Sequence, residues 1–482
     1  MTELVTVKID GKELRVPKGM NLIEVGKLAG IDIPHYCYHP DLSIAGNCRM
    51  CQVELKGSPK LVIACNTTAT DGMEIATHHT SERVKETQEA NLEFILKNHP
   101  LDCTVCDQSG HCKLQDYYFE YSRRESRLLE TKVKKKKAFQ IGPHVVLDAE
   151  RCILCTRCVR FLDEVTKTGE LGVVNRGDKS EIDLFPGKWL DNPLSATVID
   201  LCPVGALTYA DWRFKSRIWF TKRVDTLCVG CSRNCNVTVH HRDGEIVTVK
   251  ARYNKNVNKE WLCDEGRFGF NRFKPLRRVK FDSEHESVLK KFKELITSGE
   301  PVLGIISAFL TVEDILSIQA ISNRYPNLVL QGIVIKRGLS EVERVLVKPD
   351  YSPNKEAFDR LGINHYPGKP DLVGFQAVHS VGFGLTTFEV ERVELPQLRF
   401  LMTGYGELQH LTEHFIPTKY IYEKNGHMIN SDGILQPIKP IFYSSNRSEW
   451  ELLRVVFEEV RAVDIENRLE ENFGQFTVSA GD

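Results

Sequence analysis

The first residues of the chain alternate between apolar and polar side chains, a pattern that predicts β-strands. Two such runs, residues 5–10 and 13–16, flank the dipeptide Gly11-Lys12, and together they indicate a hairpin. Residues 21–29 instead show helical spacing of their apolar side chains and are followed by a glycine. The sequence therefore predicts a hairpin and then a short helix at the start of the fold.

Helical periodicity returns at residues 81–98. The apolar stripe of this predicted helix consists of Val84, Leu92, Ile95 and Leu96. Pro100 is expected to stop the helix, because proline cannot continue the ladder of backbone hydrogen bonds. That ending would present His99 at the end of the helix.

Length and charge narrow the range of functions. A chain of 482 residues suggests about three domains, and 64 Lys and Arg against 65 Asp and Glu give a net charge of −1. Nucleic-acid-binding proteins normally carry a basic surplus, so nucleic acid is not an expected partner. No apolar run approaches the ~18 residues of a membrane helix, and the N-terminus lacks the apolar core of a signal peptide. We expect no membrane span and a reducing compartment.

Fifteen cysteines are the main indication of chemistry, and all of them lie within the first 263 residues. Free thiols in a reducing compartment are more often metal ligands than disulfide partners. The cysteines fall into four groups along the chain, with four, three, four and four members. The group of three has His99 at a fitting distance, so the candidate ligands divide into four sites of four.

Group one comprises Cys37, Cys48, Cys51 and Cys65. Its loop follows the predicted hairpin and helix, an order that resembles the β-grasp ferredoxins that hold [2Fe–2S] clusters. The spacing differs from the C-x4-C-x2-C of plant-type ferredoxins, which indicates a related branch. Zinc is the alternative, because any four thiolates can bind it tetrahedrally. His35 and His39 are expected either at the surface or beside the ligands.

Group two comprises His99, Cys103, Cys106 and Cys112. Three cysteines without a fourth partner favour His99 as a ligand over its interpretation as an ordinary helix-terminal histidine. His111 competes for this role, but it adjoins Cys112, and adjacent residues reach one cluster with difficulty. An imidazole in place of a thiolate makes a cluster less negative and normally raises its reduction potential.

Group three comprises Cys152, Cys155, Cys158 and the remote Cys202, which precedes a proline. Bacterial ferredoxins combine a C-x2-C-x2-C triplet with a distant Cys-Pro in this way. The ligands of a second cluster would fall on Leu162, Asn192, Ser195 and Val198. None of these four is a cysteine, so this part of the chain is predicted to hold one [4Fe–4S] cluster.

Group four comprises Cys228, Cys231, Cys235 and Cys263. Two alternating runs around Arg242-Asp243-Gly244 predict a hairpin that returns Cys263 toward the other three. Zinc ribbons also consist of two cysteine clusters joined by a β-ribbon, so zinc and an iron–sulfur cluster both fit this spacing.

The four groups, in this order and with these spacings, resemble the 75 kDa-type iron–sulfur subunit of NADH–quinone oxidoreductase (respiratory complex I). Residues 1–275 carry the resemblance, mainly through IPHYCYHPDLSIAGNCRMCQVEL, HPLDCTVCDQSGHCKLQD, ERCILCTRCVRF and IDLCPVGALT. The resemblance implies a [2Fe–2S] cluster in group one and [4Fe–4S] clusters in groups two and three. It also favours a third [4Fe–4S] cluster over zinc in group four, as in some bacterial members of the family.

An α+β multidomain fold follows from these expectations. Residues 1–80 would form a β-grasp [2Fe–2S] ferredoxin, and residues 81–125 a small helical domain for the cluster with one histidine and three cysteine ligands. Residues 140–218 would form a bacterial-ferredoxin-like domain, and residues 219–275 a β-rich cluster domain of the molybdopterin-oxidoreductase type. Residues 276–482 would be an α/β region.

This last region departs from the family pattern, because members usually continue into a long molybdopterin-oxidoreductase-like domain. The strand-like run 302–307 before the helix-like stretch 312–322 indicates an α/β unit. A stretch that resembles the family is carried by Pro417, Glu423, Gly426, Asn430, Gly433 and Gln436. No cysteine follows Cys263, so we expect no molybdenum cofactor and favour a structural docking role. No G-x-G-x-x-G or Walker A sequence supports nucleotide binding.

A basic run, residues 134–137, follows Lys132 and separates groups two and three. Such a run is typical of a solvated linker. Contact with an acidic partner or with lipid headgroups is the alternative.

The resemblance implies one-electron transfer between buried clusters, with no catalytic residue and no substrate-converting site on this chain. The chain would be a peripheral-arm subunit of complex I. It would take electrons from the FMN- and NADH-binding subunit and pass them to the subunits that lead to quinone. The clusters of groups one to three would form the path, and that of group four would be structural. The expected location is the cytoplasmic side of the bacterial inner membrane, through the complex.

Two alternatives remain. NAD-linked hydrogenases and formate dehydrogenases share the first three groups, so the chain would there be an electron-transfer subunit that feeds another catalytic chain. An iron-only hydrogenase chain would itself need further cysteines after residue 263, and there are none. The other alternative is a zinc-stapled scaffold without a redox role, which iron, sulfide and zinc contents would distinguish.

Overall fold

The computed structural model describes residues 3–122, 125–462 and 465–473. The chain divides into two units, residues 1–220 and 221–482. Each unit contains both helices and β-sheets, so the predicted mixture of α and β structure is confirmed. Within the described ranges, no helix has the length and apolar character needed to span a membrane.

The strands of the first unit are β1 (Leu4–Ile9), β2 (Lys12–Pro17), β3 (Gln52–Leu55), β4 (Val62–Ile63), β5 (Met73–Ala76), β6 (Phe139–Gln140), β7 (Val145–Leu147), β8 (Leu171–Val174), β9 (Glu181–Leu184) and β10 (Leu207–Tyr209). Its helices are α1 (Leu22–Leu28), α2 (Glu82–Asn98), α3 (Lys113–Tyr121), α4 (Arg157–Phe161) and α5 (Thr197–Leu201). A π-helical turn, Leu162–Thr166, continues α4.

The first sheet has the strand order β2-β1-β5-β3-β4. β1 pairs antiparallel with β2 and parallel with β5. The turn between β1 and β2 consists of Asp10 and Gly11, whose φ angles of 45° and 85° suit a two-residue hairpin turn. α1 packs on this sheet, because Leu22, Ile23 and Val25 join the same buried core as the strands. The predicted hairpin and helix are confirmed.

The predicted helix before group two is also confirmed. The Ser81 side chain accepts a hydrogen bond from the Val84 N–H and so caps the start of α2. Val84 and Leu92 are buried. His99 follows the last helical residue directly and occupies the C-cap position. Two smaller sheets, β10-β7-β6 and β8-β9, complete the first unit.

The strands of the second unit are β11 (Lys222–Leu227), β12 (Asn236–Arg242), β13 (Glu245–Ala251), β14 (Val302–Ile306), β15 (Leu328–Gly332), β16 (Asn364–His365), β17 (His379–Phe383), β18 (Leu398–Thr403), β19 (Thr412–Pro417), β20 (Gly426–Ile429) and β21 (Leu435–Ile438). Its helices are α6 (Asp264–Phe268), α7 (Ser283–Thr297), α8 (Val312–Arg324), α9 (Lys355–Arg360), α10 (Thr387–Val390), α11 (Glu449–Val456), α12 (Glu458–Ala462) and α13 (Ile465–Phe473).

The second unit begins with a three-stranded antiparallel sheet, β11-β12-β13. The predicted hairpin is β12 and β13, and Asp243 and Gly244 at its turn have φ angles of 51° and 81°. The third strand, β11, was not predicted. It pairs with β12 along its whole length, from Lys222 opposite His241 to Leu227 opposite Asn236.

A parallel six-stranded sheet with the order β16-β15-β14-β17-β18-β19 forms the centre of the second unit. The order reverses between β14 and β17, as in doubly wound α/β folds. The apolar run that begins at Val302 is the buried strand β14, so the predicted α/β region is confirmed.

Candidate metal-cluster sites

The four cysteines of group one form two pairs. The thiols of Cys37 and Cys48 are in hydrogen-bond contact, and so are the thiols of Cys51 and Cys65. Contact with Cys48 lowers the pKa of Cys37 to about 5, while the pKa of Cys48 is raised. In the second pair the pKa of Cys65 is lowered and that of Cys51 is raised. Two thiol pairs suit a two-metal centre in which each metal takes two thiolates.

The histidines that flank Cys37 are buried. His35 and His39 have exposed fractions of only 6% and 2%, so the surface alternative for these residues is wrong. The backbone N–H of His35 donates to the Tyr117 hydroxyl (3.3 Å), and its Nδ1 donates to the Ile33 carbonyl oxygen (2.8 Å). Burial lowers the pKa of His35 to about 3. The ring is therefore neutral, and it contributes to the packing of the group-one loop.

The three cysteines of group two line one cavity together with His99. Nδ1 of His99 is buried and has no hydrogen-bond partner among the described residues. Burial, with smaller contributions from the Arg151 and Lys132 charges, lowers the pKa of His99 to about 4. At neutral pH the imidazole is therefore in the form that binds metals.

Cys112 lies at the N-cap position of α3. Burial raises the pKa of its thiol to about 11, and the backbone N–H groups of Leu114 and Gln115 act in the opposite direction. Thiolate ligands are often held at helix N-termini, because the free N–H groups there stabilise negative charge. Cys103, in contrast, is exposed.

The four cysteines of group three enclose a small cavity. Burial raises the pKa of all four thiols, to about 12 for Cys152 and Cys202. The Leu154 N–H donates to Sγ of Cys152 at 3.4 Å. Leu154 and Thr156 adopt φ angles of 54° and 59°, a conformation that residues other than glycine rarely adopt. Thiols with pKa values this high are protonated at neutral pH, so a bound metal centre would be needed to hold them as thiolates.

The four cysteines of group four line a second small cavity. Burial raises the pKa of each thiol, to about 12 for Cys228. Cys263 is the N-cap of α6, and its Sγ accepts from the Gly266 N–H at 3.3 Å. A Cβ atom at Gly266 would lie 3.1 Å from Sγ of Cys228 and 3.2 Å from Sγ of Cys263. These distances are shorter than ordinary van der Waals contact, so any larger residue would require the sulfurs to shift by a few tenths of an ångström.

Later parts of the second unit cover group four. Glu265 on α6 forms ion pairs with Arg272 (2.6 Å) and with Arg337. The side chain of Gln436, one of the residues that resemble the family, bonds to the Asn236 side chain at 2.6 Å. Gln436 also donates to the Asn234 carbonyl oxygen at 3.2 Å. It therefore contacts both neighbours of Cys235.

The point where the strand order of the parallel sheet reverses is occupied by the chain's own carboxylate. Glu389 is buried and accepts hydrogen bonds from the Ser307 hydroxyl (2.7 Å) and the Ala308 N–H (3.2 Å), directly after β14. It also accepts from the Thr386 N–H and hydroxyl, both at 3.0 Å, after β17. Ligands of doubly wound folds usually bind at this position.

The basic run is a coil, as predicted, but its side chains are not simply solvated. Lys132 Nζ donates to the carbonyl oxygens of Leu96 and Lys97, both at 2.8 Å. Lys137 forms ion pairs with Asp102 and, at 2.9 Å, with Glu150. These contacts attach the run to the end of α2, beside group two.

The four ligands of one zinc ion must lie close together around it, so the distances between the candidate ligands are relevant to the choice between zinc and an iron–sulfur cluster. In the ranges that the structure describes, no three His, Cys, Asp or Glu side chains lie close enough together to hold one metal ion. Four thiolates on one zinc would lie about 3.8 Å apart, given tetrahedral geometry and a Zn–S distance of about 2.3 Å. Determination of iron, sulfide and zinc decides between the two kinds of centre.

Three arginines near the cysteines were not predicted from the sequence. Arg151 is buried directly before Cys152, and it donates to Asp102 at 3.1 Å. Arg157 and Arg160 lie on α4, after the C-x2-C-x2-C triplet, and contact the group-one loop. Their position near the triplet was the only signal in the sequence, and it did not specify their partners.

The cysteine groups resemble those of proteins with several iron–sulfur domains, and four family models match in the same order as the cysteine groups. The 2Fe-2S iron-sulfur cluster binding domain matches residues 2–80, and the NADH-ubiquinone oxidoreductase-G iron-sulfur binding region matches residues 88–127. The ferredoxin-like domain of NADH-quinone oxidoreductase subunit 3 matches residues 142–208, and the molybdopterin oxidoreductase Fe4S4 domain matches residues 221–274.

Curated relatives carry names from the same enzyme complex. The chain is 38% identical over 336 residues to the NADH-ubiquinone oxidoreductase 75 kDa subunit of Reclinomonas americana, a match that covers 67% of this chain and 48% of the relative. It is 35% identical over 338 residues to an NADH-quinone oxidoreductase subunit of Rickettsia felis, covering 67% and 50%. It is 41% identical over 275 residues to NADH dehydrogenase [ubiquinone] iron-sulfur protein 1 of Solanum tuberosum, covering 57% and 37%.

The chain is thus similar, over about two thirds of its length, to 75 kDa iron–sulfur subunits of NADH–quinone oxidoreductase, which its sequence resembles. It spans about half the length of the curated relatives it matches. A solved structure of an NAD+-reducing [NiFe]-hydrogenase in its H2-reduced state matches 44% of this chain and 91% of its own, at 28% identity and a TM-score of 0.40.

Proposed function

We propose that this chain relays single electrons through iron–sulfur clusters within NADH–quinone oxidoreductase. It would take them from the FMN- and NADH-binding subunit and pass them toward quinone. The observation that carries this proposal is the adjacency of three ligand groups within the first unit. Arg160 donates to the carbonyl oxygens of both Cys37 and Cys155, so groups one and three adjoin. Sγ of Cys112 lies 3.9 Å from the carbonyl oxygen of Pro203, next to Cys202, so groups two and three adjoin as well.

Adjacency matters because one-electron transfer between buried centres falls off steeply with distance. The proposed ligands are Cys37, Cys48, Cys51 and Cys65 for a [2Fe–2S] cluster, and for three [4Fe–4S] clusters His99, Cys103, Cys106 and Cys112, then Cys152, Cys155, Cys158 and Cys202, then Cys228, Cys231, Cys235 and Cys263. When bound, such clusters accept and release one electron at a time. The chain's own residues hold them, exclude water and set their potentials.

The proposed division of labour follows the two units. Residues 1–80, 81–125 and 140–218 would carry the three clusters of the path. Residues 219–275 would hold a structural cluster, and residues 276–482 would cover it. The contacts of Arg337 and Gln436 with residues beside group four support this role. We expect the complex to hold the chain peripherally on the cytoplasmic side of the membrane.

The test is a pair of cysteine substitutions in the assembled complex. Cys155→Ser should abolish one [4Fe–4S] signal and uncouple NADH oxidation from quinone reduction. Cys231→Ser is the matched control, and it should lower assembly or stability more than turnover. Unchanged quinone reduction in Cys155→Ser would remove group three from the path. Copurification with hydrogenase or formate dehydrogenase subunits, in place of those leading to quinone, would contradict the assignment to this complex.

A further inference from the structure

One arginine joins two of the proposed cluster sites. Nη2 of Arg160 donates to the carbonyl oxygen of Cys37 at 2.6 Å and to that of Cys155 at 3.2 Å. Its Nη1 donates to the Ser43 carbonyl oxygen, and its Nε donates to the Thr156 hydroxyl at 3.3 Å. The guanidinium therefore contacts the backbone of a group-one cysteine and of a group-three cysteine at the same time.

Neighbouring hydrogen bonds also join the two sites. Arg157 is buried, and its guanidinium donates to the carbonyl oxygens of Tyr38 and, at 3.4 Å, Leu201. Asn47 Nδ2 donates to the Leu154 carbonyl oxygen at 2.8 Å. The Arg157–Tyr38 and Asn47–Leu154 bonds link the loop of group one to the segments that carry group three. The Arg157–Leu201 bond joins two of the group-three segments.

The loop is fixed from the other side as well. Glu164, one turn after Arg160, accepts hydrogen bonds from the backbone N–H of Ser43 (2.9 Å) and from its hydroxyl. Ser43 is thus held through both its carbonyl oxygen and its N–H. The contact between the two sites is polar, and it contains two arginine charges and the Glu164 carboxylate.

A positive charge between two redox centres acts on both of them. Reduction adds one negative charge to a cluster, so a nearby cation stabilises the reduced state and raises the reduction potential. Partial burial strengthens this effect, because solvent screens the charge less completely. A guanidinium is suited to the position, since it stays charged and its planar fork can donate to several acceptors at once.

We propose that Arg160, held in place with Arg157, is a positioning residue that fixes the [2Fe–2S] site against the group-three [4Fe–4S] site and raises the potentials of both together. This inference rests on the proposed function, because it requires clusters at both sites. The inference is that one arginine raises the reduction potentials of both clusters, and the ligand assignment alone does not imply this.

The experiment is an EPR-monitored redox titration of the purified complex with three variants. Arg160→Gln should lower the midpoint potential of each cluster by ~59 mV. At a fixed potential, the ratio of reduced to oxidised cluster would then fall about tenfold. Arg160→Lys keeps the positive charge but lacks the planar guanidinium, so both potentials should stay closer to those of the wild type. Arg15→Gln, at an exposed position on β2, is the control and should change neither.

The outcomes separate the two proposals. A shift of only one cluster in Arg160→Gln, or of neither, overturns the inference while leaving the relay intact. An equal shift in Arg160→Lys also overturns it, because charge would not be the cause. If Arg160→Gln loses a cluster, Glu164→Gln decides, since removing this negative charge should raise both potentials, and any other result overturns the inference. A wild type without iron would overturn the proposed function itself.

Discussion

Gly205 lies directly against the sulfur of Cys106. A Cβ atom at Gly205 would stand 2.1 Å from that Sγ and 3.2 Å from Cβ of Gln108. Gly205 belongs to the segment that follows Cys202 and Pro203, so the end of group three shapes the wall of group two. The two sites therefore restrict each other's sequences across about one hundred residues of chain.

Gly205→Ala should specifically remove the cluster of group two. The new methyl group would overlap Cys106, and the buried backbone on either side leaves little room for adjustment. EPR spectra should lose one [4Fe–4S] signal and keep the [2Fe–2S] signal. Gly338→Ala is the control, because nothing lies within 4 Å of the position of its Cβ atom. Full occupancy of all clusters in Gly205→Ala would show that Cys106 is not a ligand.

His99→Cys tests the histidine ligand. A thiolate in place of the neutral imidazole makes the cluster more negative, so its midpoint potential should fall. His99→Ala should destabilise the same cluster or release iron from it. Redox titration of the [4Fe–4S] signals measures both effects. His111→Ala is the matched comparison, and loss of the cluster in that variant, with none in His99→Ala, would transfer the ligand role to His111.

Lys424 should be indispensable for the stability of the second unit. Its Nζ lies 2.7 Å from Asp314 and 2.5 Å from Glu449, and all three side chains are almost completely buried. Lys424→Met would leave two buried carboxylates uncompensated, at a cost of about 3–5 kcal/mol in the free energy of unfolding. Denaturant unfolding measures this loss.

The control for Lys424→Met is Lys348→Met, which breaks the more exposed ion pair between Lys348 and Asp432. That substitution should lower the free energy of unfolding by less than about 1 kcal/mol. Equal losses in the two variants would mean that the buried ion pairs contribute no more than an ordinary surface pair.

His35 should make the chain less stable in mild acid. Its pKa is about 3 in the folded state because of burial, whereas an unfolded histidine titrates near 6.5. Below that value the unfolded chain takes up a proton that the folded chain does not, so the stabilising contribution is complete above about pH 6.5 and declines as the pH falls. The loss between pH 7 and pH 5 is about 2 kcal/mol.

His35→Phe tests this linkage. Denaturant unfolding at the two pH values should show a smaller pH dependence than in the wild type, by about the same 2 kcal/mol. Phenylalanine substitution of the exposed His410 provides the comparison for the introduction of a phenylalanine in place of a histidine. An unaltered pH dependence in His35→Phe would mean that the buried ring is protonated in the folded state.

Local features of the fold were predictable because neighbouring residues determine them. The alternation in 236–251 and the dipeptide Asp243-Gly244 specify a hairpin, and a hairpin lies there. Ser81 and Pro100 delimit a helix for equally local reasons, namely a capped first turn and a residue that cannot continue the ladder. The cysteine spacings likewise indicated which thiols belong together.

The rest depends on contacts between distant parts of the chain. The bond between Arg160 and the Cys37 carbonyl oxygen joins residues 123 positions apart, and no periodicity or spacing specifies it. The His35 backbone N–H likewise donates to the hydroxyl of Tyr117, which lies 82 positions away on α3. Gly205 lies in a turn but is not among the glycines with a positive φ angle. Its restriction comes instead from the sulfur of Cys106.

The most direct test of the account is low-temperature EPR on the anaerobically purified chain during stepwise reduction, with iron, acid-labile sulfide and zinc determined on the same sample. We predict about 14 iron atoms per chain, one [2Fe–2S] signal and up to three [4Fe–4S] signals. Zinc in place of iron, with no signal on reduction, would contradict the electron relay and leave a zinc-bound scaffold.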